Sequence, residues 1–444
     1  VLDRVYIHGL VDTPTSRCVE LNSGRTQIFD SYLAECHVKG FDSQAILGWN
    51  GPGPFKIVNN MLMGDTENVM FGGSDPTIPG LIPSDIEMRG NYLYTPASWG
   101  ANMANKLWTK KNLFELKSAR RVLFEGNILD GSWSDAQKGM GVLIRTTNQG
   151  GACTWCQTSD VTIRYNLMRN MPGVFDVVGN EPTKPTGGPV TNLLIEHNIY
   201  ENIAVPPFAV GTTRFLQIAV NPQNVVIRNN TMTSFGTMNA FVGFVNPTRP
   251  HVSNFQFTDN IVAAGTYGIY EGGGNYGGGN QSGEISFTDG LVVGGNSVYS
   301  GNVAIGSGQA SRYPTTQFVS NITAARATGK GANEAAVLSA TQYAENGGGT
   351  PPPPPSSPSV SLSASPTSIV AGGSSTLSWS SSNVSSCTAS GGWSGTKATS
   401  GTQSVSPTSN TTYTITCTGS NGSTNRSVNV TVTSPFPAVA VPIV

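Results

Sequence analysis

Six charged side chains in the first half of this 444-residue chain have types and spacings that could do chemistry together: Glu67, Glu115, Lys117, Asp135, Arg145 and Asp176. Asp42 precedes another apolar stretch of the same region. Two carboxylates at a suitable separation cleave glycosidic bonds, and that separation sets retention or inversion. A Lys or Arg among acids suits a second chemistry: the base takes the proton beside a uronate carboxylate, and the acids hold Ca2+ to neutralise it. Ca2+ is the one cofactor such a site calls for, and no ligand set for it stands out. Stacked salt bridges among Glu115, Lys117 and Arg145 are the structural alternative.

Five tryptophans accompany these charges: Trp49, Trp99, Trp108, Trp133 and Trp155. An aromatic face is what the apolar C–H face of a sugar ring stacks on. The same rings could instead pin loops to a scaffold. The long segments 64–84, 93–111, 131–141, 148–159 and 179–191 carry four of them and suit the walls of a groove.

The scaffold is legible as a repeat. Nine stretches vary one phrase: IFDSYL, IVNNML, MRGNYL, FEGNIL, IRYNLM, IEHNIY, IRNNTM, FTDNIV and FTDGLV. Asn occupies one slot at Asn60, Asn91, Asn127, Asn166, Asn198, Asn230 and Asn260, with Ser31 before and Gly290 after. From Ser31 to Asn260 the spacings are 29, 31, 36, 39, 32, 32 and 30 residues. That period, with no helix inside it, predicts one coil of a β-solenoid per repeat. Asn tolerates the left-handed backbone of a sharp bend. Stacked about 4.8 Å apart, such amides can form a ladder. Third strands are expected near 68–71, 112–116, 141–145, 174–178, 215–220, 241–245 and 267–271. Alternation then turns Phe114, Leu116, Val142, Ile144, Phe175 and Val177 inward. It leaves Glu115, Lys117, Arg145 and Asp176 on one outer strip, with Glu67 and Asp135 beginning their strands.

Three strands and three bends per coil, with an Asn ladder, resemble the right-handed parallel β-helix of the pectate-lyase-like superfamily over about residues 1–320. The resemblance implies an extracellular polysaccharide as partner, bound or cleaved in a lyase-like or glycosidase-like groove. The specific catalytic motifs of pectate lyases and polygalacturonases are absent. The alternative is a surface protein, adhesin or self-assembling filament subunit without catalysis.

Residues 1–345 are assigned to the solenoid, closed by a helix over 333–343 that packs on the last coil. Residues 346–358 read as a linker, flexible at 347–350 and stiff through Pro351–Pro355. In residues 359–433 period-two strands at 360–364, 374–379, 413–417 and 427–433 predict a small β-sandwich. It resembles a bacterial immunoglobulin-like module, although its Trp379, Cys387, Cys417 order departs from the antibody pattern. The apolar tail 434–444 carries Val439, Val441, Ile443 and Val444 between Pro437 and Pro442. It suits an edge strand that could join residues 435–444 head to tail with an open first coil near Val1.

Six cysteines fall into local pairs, which suits an oxidising compartment and a secreted or cell-surface bacterial protein. Cys387 and Cys417 would staple the small module, and Cys18 and Cys36 neighbouring strands. Cys153 and Cys156 read as a loop-closing disulfide, a redox centre or half of a metal site. A net charge of −1, with 25 scattered Lys and Arg, argues against a nucleic-acid partner. No apolar run is long enough to span a membrane.

Overall fold

The computed structural model describes residues 1–10, 13–100, 108–180, 187–245, 251–272, 293–307, 316–346, 358–419 and 422–433. The chain forms two compact units, a solenoid through Pro351 and a smaller unit from Pro352 onward. The linker 347–357 and the tail 434–444 lie outside the described residues, as does the tail's expected partnership.

The solenoid is a parallel β-helix. Among the described residues its strands stack in three sheets of eleven, eleven and nine strands, and the pairing joins strands of successive coils along each sheet. The register explains the repeat. In the first sheet Ile28, Ile57, Met88, Phe124, Ile163, Ile195, Ile227, Phe257 and Tyr299 stand in one column. In the second, Leu33, Leu62, Leu93, Leu129, Met168, Tyr200 and Met232 do the same. These columns meet the inward residues of the third sheet in one continuous core. Each fully buried Leu, Ile or Phe contributes about 1.5–3 kcal/mol of hydrophobic stabilisation.

The Asn ladder runs through the bends between the first and second sheets. Each Asn Nδ2 donates to the Oδ1 of the Asn one coil on, from Asn60–Asn91 at 2.9 Å to Asn230–Asn260 at 3.0 Å. Two details correct the expectation. The ladder continues from Asn260 to Asn302, whose Oδ1 accepts at 3.1 Å, rather than to Gly290. The coil between them carries a 42-residue separation, so the period breaks there; Gly290 itself lies outside the described residues. The left-handed residue is also not the ladder Asn but the one before it: Asp30, Asn59, Gly90, Gly126, Tyr165, His197, Asn229 and Asp259 all have φ between 46° and 65°. The Asn is kept for its buried amide, not for its backbone.

Among the described residues two helices follow the coils. Helix α1 (Ile322–Arg326), capped by Asn321 accepting from the Ala324 amide, packs Ala325 on Ile261, Val303 and Ile305 of the last coils. Helix α2 (Glu334–Asn346) was expected on the last coil too. Instead it covers the flank of middle coils, where Val337 and Ala344 meet Ile128, Leu167 and Ile199. Those three side chains stand outside the core at the start of second-sheet strands, and an apolar row left there needs a cover. Gly126 permits the approach: it has φ of 65°, and a Cβ there would sit 2.7 Å from the Ala340 carbonyl.

The smaller unit has a three-stranded and a five-stranded sheet, all antiparallel except the short Ser368–Val370 pairing. Leu377, Trp379, Trp393, Tyr413, Ile415 and Val430 form its core. All six cysteines are paired, as Cys18–Cys36, Cys153–Cys156 and Cys387–Cys417. Cys387 and Cys417 face each other across adjacent strands of one sheet. No helix among the described residues is long and apolar enough to cross a membrane.

Candidate functional site

The outer face of the third sheet differs from an ordinary solvated sheet face, because loops cover it. Its strands Glu67–Phe71, Phe114–Leu116 and Val142–Thr146 are buried on both sides. Phe114, Leu116, Val142, Ile144, Phe175 and Val177 point into the core. The alternate column runs Leu47, Met70, Glu115, Leu143, Asp176 and Gln217 across the outer face.

Two carboxylates are wholly buried there, on adjacent coils. Glu67 accepts from Gln44 Nε2 at 2.8 Å and lies 3.5 Å from Lys111 Nζ, which also reaches Asp42 at 2.5 Å. Glu115 pairs with Lys117 Nζ at 2.8 Å and accepts from Asn112 Nδ2 at 2.7 Å. Their environments push them apart. Burial, then the charge of Glu115, raises the Glu67 pKa. Burial acts on Glu115 as well, but the charges of Lys117 and Arg145 and the Asn112 hydrogen bond outweigh it and lower its pKa. Glu67 therefore keeps its proton where Glu115 is ionised.

Above these groups lie two pockets. The larger, about 540 Å³, is lined by Arg17, Phe41, Asp42, Gln44, Lys117, Arg145, Asn148 and Gln149 with apolar neighbours. The smaller, about 280 Å³, is lined by Lys111, Lys138, Arg145 and Asp176 among others. Arg145 belongs to both. Together they present five cations (Arg17, Lys111, Lys117, Lys138, Arg145) and two carboxylates (Asp42, Asp176), on a chain whose net charge is −1. Arg17 Nε is buried with no hydrogen-bond partner among the described residues. Burial lowers the Lys138 pKa, against the pull of Asp176.

One wall is the loop 147–157. Asp75 caps it by accepting from the Ala152 and Cys153 amides at 3.0 and 3.3 Å. Asn148 donates to Cys156 Sγ and accepts from the Gly73 amide at 3.1 Å. The Cys153–Cys156 disulfide thus holds the segment that brings Asn148 and Gln149 to the larger pocket.

Of the expected charged residues, Lys117, Arg145 and Asp176 line pockets, while Glu67 and Glu115 lie beneath them. Asp135 accepts from the Lys110 amide at 3.1 Å and lines neither. The tryptophans line neither pocket. Trp99 and Trp133 are buried with Tyr32 and Met63. Trp108 stacks on His37 at 3.8 Å. Trp155 and Trp49 donate to the Leu81 carbonyl and to Glu20. The aromatic that does reach the larger pocket is Phe41, 63% exposed. Arg17, Phe41, Gln44, Lys111, Lys138 and Asn148 went unread. Only Phe41, beside Gly40 and Asp42 in a polar turn, carried a local signal.

The donor set does not suit Ca2+. Asp42, Glu67 and Glu115 are each engaged by a lysine or an amide, and no three metal-ligating side chains converge among the described residues.

No protein-family description, no characterised protein and no solved structure matches this chain.

Proposed function

We propose that the protein binds an acidic, uronate-bearing extracellular polysaccharide along the outer face of its third sheet. The observation that carries this reading is the gathering of Arg17, Lys111, Lys117, Lys138 and Arg145 on two adjoining pockets that share Arg145. Guanidinium groups match carboxylates in a fork geometry and lose less hydration than ammonium groups. Phe41 offers the flat apolar face that a sugar ring stacks on. The sheet repeats every coil, about 4.8 Å, so a polymer can lie across several coils. The solenoid's resemblance to pectate-lyase-like proteins and the chain's three disulfides favour a polymer met outside the cell.

The chemistry favoured beyond binding is of the lyase kind. Neutralising a uronate carboxylate acidifies the neighbouring C–H. Arg17, Lys117 and Arg145 line one pocket and can neutralise the carboxylate, while Lys138 in the adjoining pocket, whose pKa burial lowers, can accept the proton in its neutral form. A two-carboxylate hydrolysis has less support, since Asp42 and Asp176 line separate pockets and Glu67 and Glu115 lie beneath them.

Calorimetric titration against a uronate polymer and a neutral polymer of similar linkage tests the reading. Binding is expected for the uronate polymer only, weakening as salt screens the charges. Release of unsaturated uronate, read by its absorbance, marks cleavage. Equal affinity for both polymers, or for neither, would favour a structural surface protein.

A further inference from the structure

Outside the groove, four side chains that rarely share a dry site lie together with no exposed surface: Asp65, Asn68, Thr95 and Lys110. Lys110 Nζ is 3.2 Å from Asn68 Oδ1 and 2.8 Å from Thr95 Oγ1. Asn68 is held rigidly, its Nδ2 donating to the Leu62 and Tyr94 carbonyls at 2.8 and 2.7 Å. Thr95 Oγ1 is fixed against Gly64 O and Asn68 Oδ1. Neither oxygen of Asp65 makes a well-formed hydrogen bond among the described residues, the Thr109 amide giving only a loose contact.

A buried ammonium with no carboxylate in contact is costly, and so is a buried carboxylate without donors. Both costs vanish if the groups are neutral. Burial drives each that way: Asp65 is raised to about 8 against the pull of Lys110, and Lys110 is lowered to about 7 against the pull of Asp65. A neutral amine is a nucleophile, a desolvated lysine is an activated one, and a protonated carboxyl is an acid. The remaining partner is a carboxamide whose oxygen lies 3.2 Å from the Lys110 nitrogen, which sets the amine beside the side-chain carbonyl.

We propose that Lys110 and Asn68 are joined by an isopeptide bond that the folded chain forms by itself, with Asp65 as proton carrier. The Lys110 amine attacks the Asn68 side-chain carbonyl carbon. Asp65 donates its proton to the carbonyl oxygen as the tetrahedral intermediate forms. It then carries a proton from the attacking nitrogen to the leaving amino group, and takes back the proton on the oxygen as the carbonyl re-forms. The Lys110 Nζ–Asn68 Cγ bond forms, the Asn68 Cγ–Nδ2 bond breaks, and one ammonia leaves. No oxidant, metal or co-reactant is needed, and Asp65 ends as it began.

The bond has a structural consequence. Residues 108–112 form a strap over the bend between the second and third sheets. Trp108 stacks on His37, Thr109 accepts from the Gly40 amide, Lys111 reaches Asp42 and Glu67, and Asn112 donates to Glu115. A covalent link at Lys110 would fix this strap, and with it the cover over both buried glutamates. It would close a loop between positions 68 and 110 as a disulfide does, but reductant would not open it.

Intact mass spectrometry of the full, folded protein tests the proposal. The expected mass, with three disulfides formed, is lower than the sequence mass by one ammonia. Digestion after reduction is expected to give one branched peptide joining Lys110 to Asn68. Lys110→Met and Asn68→Ala should each show their full sequence masses. Asp65→Asn should stay folded by circular dichroism yet remain largely unlinked. An undiminished wild-type mass, with linear peptides carrying free Lys110 and Asn68, overturns the bond. Loss of water with a branch at Asp65 overturns the choice of Asn68, and complete linkage in Asp65→Asn overturns the proton carrier.

Discussion

The first and third sheets are built from the same coils, yet they treat charge in opposite ways. On the first sheet Arg89, Glu125, Arg164, Glu196 and Arg228 alternate in sign up one column. Arg164 meets Glu125 at 2.5 Å and Arg228 meets Glu196 at 2.9 Å, and the arginines are a third to a half exposed. On the third sheet the pairs Lys117–Glu115 and Lys111–Glu67 lie under loops, with both glutamates at 0% exposure. Spacing alone does not make a site. An exposed column neutralises itself in solvent, whereas a covered one shifts pKa values and gathers cations around a cavity.

Several substitutions would break or sharpen this contrast. The largest effect is expected at Glu115. Glu115→Ala strands Lys117 under the loops, and loss of one partner of a buried pair costs about 3–5 kcal/mol. Denaturant melting should register this. Next comes the ladder. Asn127→Ala removes an amide that donates to the Met88 carbonyl and to Asn166 and accepts from Asn91. The stranded partners should cost about 1–3 kcal/mol by the same measurement.

The pH profile separates the two glutamates. The Glu67 pKa is raised in the folded state, so its stabilising contribution is full below the ordinary value of 4.5 and is lost as pH rises through the folded value. Glu115 is the reverse: its contribution is present above 4.5 and is lost as pH falls through its lowered value. Glu67→Gln should flatten the alkaline-side decline of the melting temperature, and Glu115→Gln the acid-side decline. Slopes unchanged in both variants would refute the split. The smallest effect belongs to the exposed column. Arg164→Ala should cost under about 1 kcal/mol and less at high salt.

The repeat was legible because burial is periodic. One Asn and one apolar pair per coil stand out in any reading of period 29 to 39. Inward and outward assignments at Phe114, Glu115, Phe175 and Asp176 followed from simple alternation. The cover over the third sheet was not legible, since loop paths depend on long-range partners such as Asp75 with Cys153 or Thr109 with Gly40. Alternation places Glu115 outside the coil but says nothing of what lies above it. The packing of the tryptophans was not legible for a related reason: Trp99 and Trp133 are large enough to anchor the very loops that carry them, so their faces are packed. Arg17, two coils before Glu67, shares no phrase with the groove and is brought there only by stacking.

The contrast between the sheets is tested most directly by comparing Arg145→Ala with Arg228→Ala in titrations against one uronate oligomer. Both remove an arginine from a solenoid sheet. Arg145→Ala is expected to weaken binding about tenfold or more, since a hydrogen bond to a charged group contributes about 1.5–3 kcal/mol. Arg228→Ala should leave it within about twofold, as its charge faces solvent and its partner lies off the groove. Equal losses in the two variants, or no measurable binding by the parent protein, would contradict the assignment of the third-sheet groove.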